Sequence, residues 1–70
     1  MSKLPVLSGK ECVQRLQKHG FMFRRQKGSH IILRHKFSKI ILTIPNHKEL
    51  DRGTLRAIIR QSGLELRDFL

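Results

Sequence analysis

The chain has 70 residues, with fifteen lysines and arginines against five acidic residues and a formal net charge of +10 at pH 7. A chain of this length folds as one domain, predicted over residues 1–70, and buries only about 60% of its unfolded surface, which excludes a deep active-site cavity. Its four aromatic residues are all Phe, a composition that argues against a base-stacking platform as the main binding device.

The positive charge is concentrated in one part of the sequence. Between Cys12 and Lys48 there are nine basic residues and no acidic one, whereas bases and acids cancel from Glu49 to Leu70. A stretch of one sign indicates a polyanionic partner, either nucleic acid or an acidic protein. The alternative is that the basic residues only keep a small domain soluble.

The first predicted element is a helix that begins after Ser8. Ser8 and Glu11 have the spacing of a capping box, with Leu7 and Cys12 placed as a hydrophobic staple. Gly20 is the expected end of this helix. The single cysteine excludes an internal disulfide, and a zinc site would rely on four scattered histidines, so neither a metal nor another cofactor is predicted.

Three strands are predicted next, over residues 21–26, 30–36 and 39–44. Lys27-Gly28 and Phe37-Ser38 form short connections, and Pro45 ends the third strand, so the strands form an antiparallel meander. Period-two alternation places Ile31 and Leu33 on one face of the second strand. The opposite face carries His30, Ile32, Arg34 and Lys36.

A second helix is predicted from an N-cap at Asp51 to Gly63, with Phe69 or Leu70 closing the core beyond it. Arg52, Arg56 and Arg60 repeat every four residues along one side. The predicted fold is α+β, in the order α-β-β-β-α of a double-stranded-RNA-binding domain. Two helices pack on one face of a three-stranded antiparallel sheet, and the face bearing His30 stays open.

His30 is the candidate catalytic residue. RNA is cut when its own 2′-hydroxyl attacks the adjacent phosphorus, a reaction that needs a proton carrier and cations but no metal. Histidine suits the first task because its unperturbed pKa is about 6.5. Cations on the same surface stabilise phosphoryl charge. The candidate RNA-binding residues are Arg25, Lys27, Gly28, Ser29, Arg34 and Lys36, with His47, Arg52, Arg56 and Arg60 as accessory candidates.

Each of these residues also has a purely structural interpretation. A surface histidine, a turn serine at Ser29 and a solvated arginine face would look the same in sequence. His35 lies five residues beyond His30 and is predicted to be a packed or edge residue, and His19 interacts with the dipole of the first helix. Two other functions stay open, a non-catalytic double-stranded-RNA-binding module and a basic domain that docks an acidic protein.

Motifs along nearly the whole chain resemble those of the HicA (YcfA-like) toxin family. The specific parts are the Gly-Ser-His element and the Gly-Thr-Leu helix start. In order, the matching segments are Leu4-Pro5, Ser8-Gly9-Lys10-Glu11, His19-Gly20-Phe21, Arg25-Gln26-Lys27-Gly28-Ser29-His30, Thr43-Ile44-Pro45-Asn46-His47, Gly53-Thr54-Leu55-Arg56 and Ser62-Gly63-Leu64.

This resemblance implies an mRNA interferase, the endoribonuclease toxin of a type II toxin–antitoxin system, with a fold like that of double-stranded-RNA-binding domains. It implies that the functional histidine is His30, in Gly-Ser-His, and that a HicB-type antitoxin protein inhibits the toxin. No signal peptide or membrane-spanning run is found, so a cytoplasmic protein with RNA and antitoxin partners, and no membrane partner, is expected.

Overall fold

A computed structural model describes residues 4–70, so the first three residues of the predicted 1–70 domain lie outside the described part. The elements confirm the predicted order α-β-β-β-α. They are helix α1 (Gly9–Gln17), strands β1 (Phe21–Lys27), β2 (His30–His35) and β3 (Ile41–Pro45), helix α2 (Arg52–Ser62) and a final 3₁₀ helix (Leu66–Phe69).

The predicted capping box starts helix α1. Ser8 Oγ accepts a hydrogen bond from the Glu11 N–H at 3.0 Å, and Glu11 Oε1 accepts one from the Ser8 N–H at 2.9 Å. These bonds satisfy two donors that a helix start otherwise leaves free. Leu7 and Cys12 are both buried, as a hydrophobic staple requires. Gly20, with a φ of 92°, follows the end of the helix.

The three strands form one antiparallel sheet in the order β1-β2-β3. Strand β3 begins at Ile41 and not at the predicted residue 39, because residues 36–40 form a turn. In that turn His35 Nδ1 accepts hydrogen bonds from the N–H groups of Phe37 and Ser38. Pro45 is the last residue of β3, a position that proline tolerates because β3 is an edge strand.

A β-bulge interrupts the pairing of β1 with β2. Phe23 pairs with Leu33, but the next pair joins Arg25 to Ile32, so β1 contains one extra residue at this point. Beyond the bulge, Lys27 pairs with His30. Residues that are directly opposite in a sheet share a face, so the bulge places Arg25 and Lys27 on the same face as His30.

Helix α2 has the predicted ends. Asp51 Oδ1 accepts a hydrogen bond from the Thr54 N–H at 2.7 Å, and Gly63 ends the helix with a φ of 76°. Leu55 and Ile58 face the core. Of the two residues predicted to close the core edge, Phe69 is fully buried and Leu70 is exposed.

Both helices pack on one face of the sheet, as predicted, and no element formed by residues 4–70 lies over the opposite face, called the open face below. Burial of these apolar side chains is the main stabilising term of such a small domain. Within residues 4–70, neither helix is long and apolar enough to cross a membrane. The buried hydrophobic residues are Leu7, Cys12, Leu16, Phe21, Ile31, Leu33, Leu42, Ile44, Leu50, Leu55, Ile58 and Phe69.

Candidate functional site

Cross-strand pairing arranges the open face in three rows of neighbouring residues. Each row takes one residue from each strand, and side chains that pair directly project from the same face of the sheet. The histidine row is Lys27, His30 and Pro45, the middle row is Arg25, Ile32 and Thr43, and the Met22 row is Met22, Arg34 and Ile41.

A two-residue turn, Gly28-Ser29, precedes His30. Gly28 has a φ of 59°, whereas no non-glycine residue in the described chain has a positive φ. Positive φ at the first central residue alone is the arrangement of a type II′ hairpin turn, which requires glycine there. A Cβ at Gly28 would meet nothing within 4 Å, so the requirement for glycine is conformational and not steric.

The backbone of His30 is held from both sides. Its Cα partners are Lys27 in β1 and Pro45 in β3. The carbonyl of Ser29 accepts a hydrogen bond from the Asn46 N–H at 2.6 Å, which joins the turn to the loop after β3. The His30 side chain is exposed, and in the described residues its imidazole makes no hydrogen bond. A fixed backbone thus presents a ring that is free to contact a ligand.

The loop after β3 and the start of α1 form an open groove beside this turn. The Gly9 N–H donates to the His47 carbonyl at 2.9 Å. A Cβ at Gly9 would collide with the Pro45 carbonyl oxygen, so only glycine allows this approach. The turn, the loop and the helix start therefore meet at one end of the molecule. The groove is lined by Ser8, Lys10, Asn46, His47 and Lys48.

The structure brings only some of the predicted RNA-binding residues to His30. Lys27 is its direct neighbour, and Arg25 lies in the adjacent row of the open face. Arg34 is four residues along β2, which is about 13 Å at 3.3 Å per residue. Lys36 lies beyond the end of β2, with its Nζ 5.0 Å from the centre of the Phe37 ring.

The accessory candidates lie elsewhere. Arg52, Arg56 and Arg60 are exposed on α2, which packs against the covered face of the sheet. They do not share the open face with His30. His47 lies near the N-cap carboxylate Asp51. The Thr54 N–H holds the pKa of that carboxyl below its usual value, and the neighbouring His47 lowers it further.

Two other histidines have structural partners. The His35 Nε2–H donates to the His19 carbonyl at 3.1 Å, while Nδ1 accepts two backbone N–H groups, an arrangement that requires the Nε2–H tautomer. The ring also packs edge-on against Phe21, with 4.9 Å between ring centres. This confirms the prediction of a packed residue. His19 Nε2 lies 4.0 Å from Asp68 Oδ1.

Of the side chains that line the groove, sequence reasoning selected His47 but missed the lysines Lys10 and Lys48. Lys10 had no role in the sequence analysis beyond the Ser8-Gly9-Lys10-Glu11 segment, and Lys48 counted only as one member of the basic stretch. No sequence signal shows that Gly9 packs against Pro45, the contact that brings both lysines to one groove. Among the residues described, no three His, Cys, Asp or Glu side chains come together where they could hold a metal ion.

The chain matches a known protein family. A family model described as the HicA toxin of bacterial toxin–antitoxin systems matches residues 9–64. The matched range contains both helices, the Gly28-Ser29 turn, His30 and the loop that lines the groove. A search of curated proteins found no match to this chain.

Proposed function

The chain belongs to the HicA toxin family of bacterial toxin–antitoxin systems, and we propose that it is an mRNA interferase, a toxin that cleaves RNA phosphodiester bonds without a metal ion. The observation that carries the proposal is the position of His30. It lies at the end of a tight turn, exposed, on a cationic sheet face. The family supplies the toxin function, and this geometry supports a site for RNA.

In the proposed reaction the RNA 2′-oxygen attacks the adjacent phosphorus, and the bond from phosphorus to the 5′-oxygen breaks. The products are a 2′,3′-cyclic phosphate and a 5′-hydroxyl. His30 acts as the general acid or base, taking the proton from the 2′-hydroxyl or giving one to the leaving 5′-oxygen. DNA lacks the attacking hydroxyl, so this chemistry selects RNA.

Lys27 and Arg25 are the cations proposed to hold the scissile phosphate and its neighbour. Lys27 is opposite His30, where paired side chains have Cβ atoms about 4.5–5.5 Å apart. Both cations are therefore close enough to stabilise negative charge that develops on the phosphoryl oxygens. Arg34 and Lys36 are too far along the sheet for the same phosphate and are proposed to contact the flanking RNA.

Membership in a toxin–antitoxin family indicates an antitoxin partner for this chain. We propose that the partner is a protein of the HicB type and that it inhibits cleavage. The charge of the toxin supports this assignment, because thirty-seven residues from Cys12 to Lys48 contain no acidic side chain. A protein with acidic side chains can compete with RNA for such a surface.

One observation favours a second candidate function, a non-catalytic RNA-binding module. In the described residues no hydrogen bond orients the His30 imidazole, whereas three orient that of His35. Catalytic histidines are commonly held in place by a partner group. In the first function that orienting contact would come from RNA itself. In the second, RNA binds and no bond is cut.

A cleavage assay separates the two functions. Wild-type protein, His30→Ala and the control His19→Ala are each mixed with a single-stranded RNA in EDTA, and the products are resolved. His19 is a suitable control because it is also exposed but lies at the end of α1. We expect His30→Ala to lose about 10²–10⁴-fold in cleavage rate, the usual contribution of one acid–base group, while it keeps RNA affinity.

Equal cleavage by wild type and His30→Ala would remove His30 from the reaction. RNA binding by all three proteins without any cleavage would favour the binding module. Cleavage that EDTA abolishes would contradict a metal-independent reaction. His47→Ala belongs in the same experiment because His47 borders the groove beside the turn, and a loss as large as that of His30→Ala would identify a second acid–base group.

A further inference from the structure

The open face has two chemically different ends. The histidine row pairs His30 with a lysine, whereas the Met22 row places two large apolar side chains on either side of Arg34. Met22 is 57% exposed and Ile41 is 59% exposed. Ile32 lies diagonally next to both, since diagonal neighbours in a sheet are about 7–8 Å apart. The apolar end of the face is therefore continuous, with one cation at its centre.

We infer that the Met22 row, together with Ile32, is the anchoring surface for the antitoxin, a partner protein that brings acidic and apolar side chains, and that RNA does not use the apolar side chains of this surface, Met22, Ile32 and Ile41. This inference rests on the proposed inhibition by an antitoxin. The new element is the location of a surface on the toxin that binds the antitoxin and takes no part in cleavage.

RNA does not match the chemistry of this end. The RNA backbone is charged and has no aliphatic side chains that could cover Met22 and Ile41. These two side chains contribute to binding mainly when their apolar area is buried. Bases would need aromatic rings to stack on. The Phe residues of β1 pair with residues of the covered face, so none projects from this row.

A protein partner matches it well. The buried centre of a protein interface is apolar, and Met and Arg are enriched there, while other charged residues are depleted. Arg34 lies between Met22 and Ile41, and its aliphatic stem extends the apolar surface while its guanidinium can pair with a carboxylate. This part of the toxin, from Cys12 to Lys48, contains no acidic residue, so the carboxylate that pairs with Arg34 would belong to the partner.

The distance between the two ends makes the inference testable. The Met22 row is about 13 Å along β2 from the histidine row. A change at Met22 or Ile41 therefore leaves His30 and its neighbouring cations in place. Inhibition by the antitoxin would be weakened by such a change, and cleavage would not.

The test uses the double variant Met22→Thr/Ile41→Thr, because threonine keeps the strand propensity and removes apolar area. The control is Leu70→Thr, since Leu70 is 68% exposed and follows the 3₁₀ helix on the covered side. Binding of each toxin to the purified product of its cognate antitoxin gene is measured by calorimetry. Cleavage of single-stranded RNA is measured with and without that protein, and circular dichroism checks the fold.

We expect the double variant to bind the antitoxin at least about tenfold more weakly, from the lost burial of two side chains, and to cleave RNA as wild type does. Leu70→Thr should behave as wild type in both assays. Unchanged antitoxin affinity of the folded double variant would overturn the inference. Equal losses of RNA cleavage and antitoxin binding would also overturn it, because they would make Met22 and Ile41 part of the RNA site.

A second measurement does not depend on any variant. Binding of wild-type toxin to RNA and to the antitoxin is compared between 0.1 M and 0.5 M salt, where exposed charge interactions are strongly screened. An apolar anchor predicts that antitoxin binding weakens much less than RNA binding. Equal weakening would overturn the inference. Both binding measurements decide the matter even if wild-type protein proves unable to cleave RNA.

Discussion

Lys27 and His30 lie directly opposite each other across the Gly28-Ser29 turn, and the bulge in β1 puts the lysine there. In a ladder continued without a bulge from the Phe23–Leu33 pair, Gln26 would oppose His30. The extra residue thus exchanges a neutral amide for a cation beside the candidate catalytic group. A phosphate that approaches His30 meets positive charge at the neighbouring position.

Replacement of Lys27 with Ala should weaken RNA binding and lower its dependence on salt. Each phosphate contact contributes about 0.7 to the slope of log affinity against log salt for single-stranded nucleic acid, so the slope should fall by about that amount. The measurement is RNA affinity across a series of salt concentrations. Lys18→Ala, which removes an exposed lysine at the end of α1, should leave the slope unchanged. The same slope for both variants would remove Lys27 from the interface.

Two glycine-to-alanine substitutions should have opposite effects on stability. Gly28→Ala forces a side chain into a positive φ and should lower the free energy of unfolding by about 1–2 kcal/mol. Gly53 lies in α2, where a Cβ would meet only Asp51 Oδ1 at an ordinary 3.6 Å. Gly53→Ala should therefore raise stability by about 0.4–1 kcal/mol. Urea unfolding measures both, and a stable Gly28→Ala protein would contradict the assigned turn.

Acid should destabilise the fold through its two helix caps. The Ser8 N–H lowers the pKa of the Glu11 carboxyl from its usual 4.5, and the Thr54 N–H lowers that of Asp51 from 3.8. The folded state therefore favours the charged forms, whose stabilisation is complete above those usual values. It is lost as pH falls from about 4.5 through the lower pKa values of the folded state.

The pH dependence can be assigned with conservative variants. Glu11→Gln and Asp51→Asn retain capping ability but do not take up a proton in this pH range, so together they should flatten the decline in unfolding free energy below pH 4.5. Glu49→Gln is the control, since this exposed carboxylate makes no hydrogen bond in the described residues. An acid decline that persists unchanged in the double variant would contradict the assignment to the caps.

The Cys12 thiol should be inert in the folded protein. Its side chain is fully buried, and burial raises its pKa to about 11. Only the thiolate reacts with disulfide reagents, so at pH 8 labelling requires the core to open. We expect slow labelling of native protein and rapid labelling in urea. Rapid labelling without denaturant would show that the Cys12 side of the core opens easily.

Local sequence signals predicted the helix ends because capping is a contact between residues close in sequence. Ser8 with Glu11, and Asp51 with Gly63, each specify a helix end through a side chain or a backbone angle. The turn at Gly28 was predicted for the same reason. The face of His30 also followed correctly, since Ile31 and Leu33 alternate with it along β2.

The bulge and the groove could not be predicted. Every residue of β1 after Phe21 is exposed, so no alternation of buried and exposed side chains reveals where one residue is inserted. The approach of Gly9 to Pro45 joins segments far apart in the sequence. The predicted start of β3 was two residues too early. The ring of His35 accepts backbone hydrogen bonds in the preceding turn, and the sequence pattern does not show this contact.

The extra residue in β1 lies between two parts of one hairpin that are held in place by different contacts. Phe21 is fixed by the hydrophobic core, while Lys27 and His30 are fixed by the tight turn at the opposite end. The bulge adds one unpaired residue, Arg24, to the strand between Phe21 and Lys27. If a core substitution shifts Phe21 slightly, we expect the backbone at Arg24 to adjust, so that the turn keeps its position. We therefore expect substitutions in the core near Phe21 to disturb the position of His30 little.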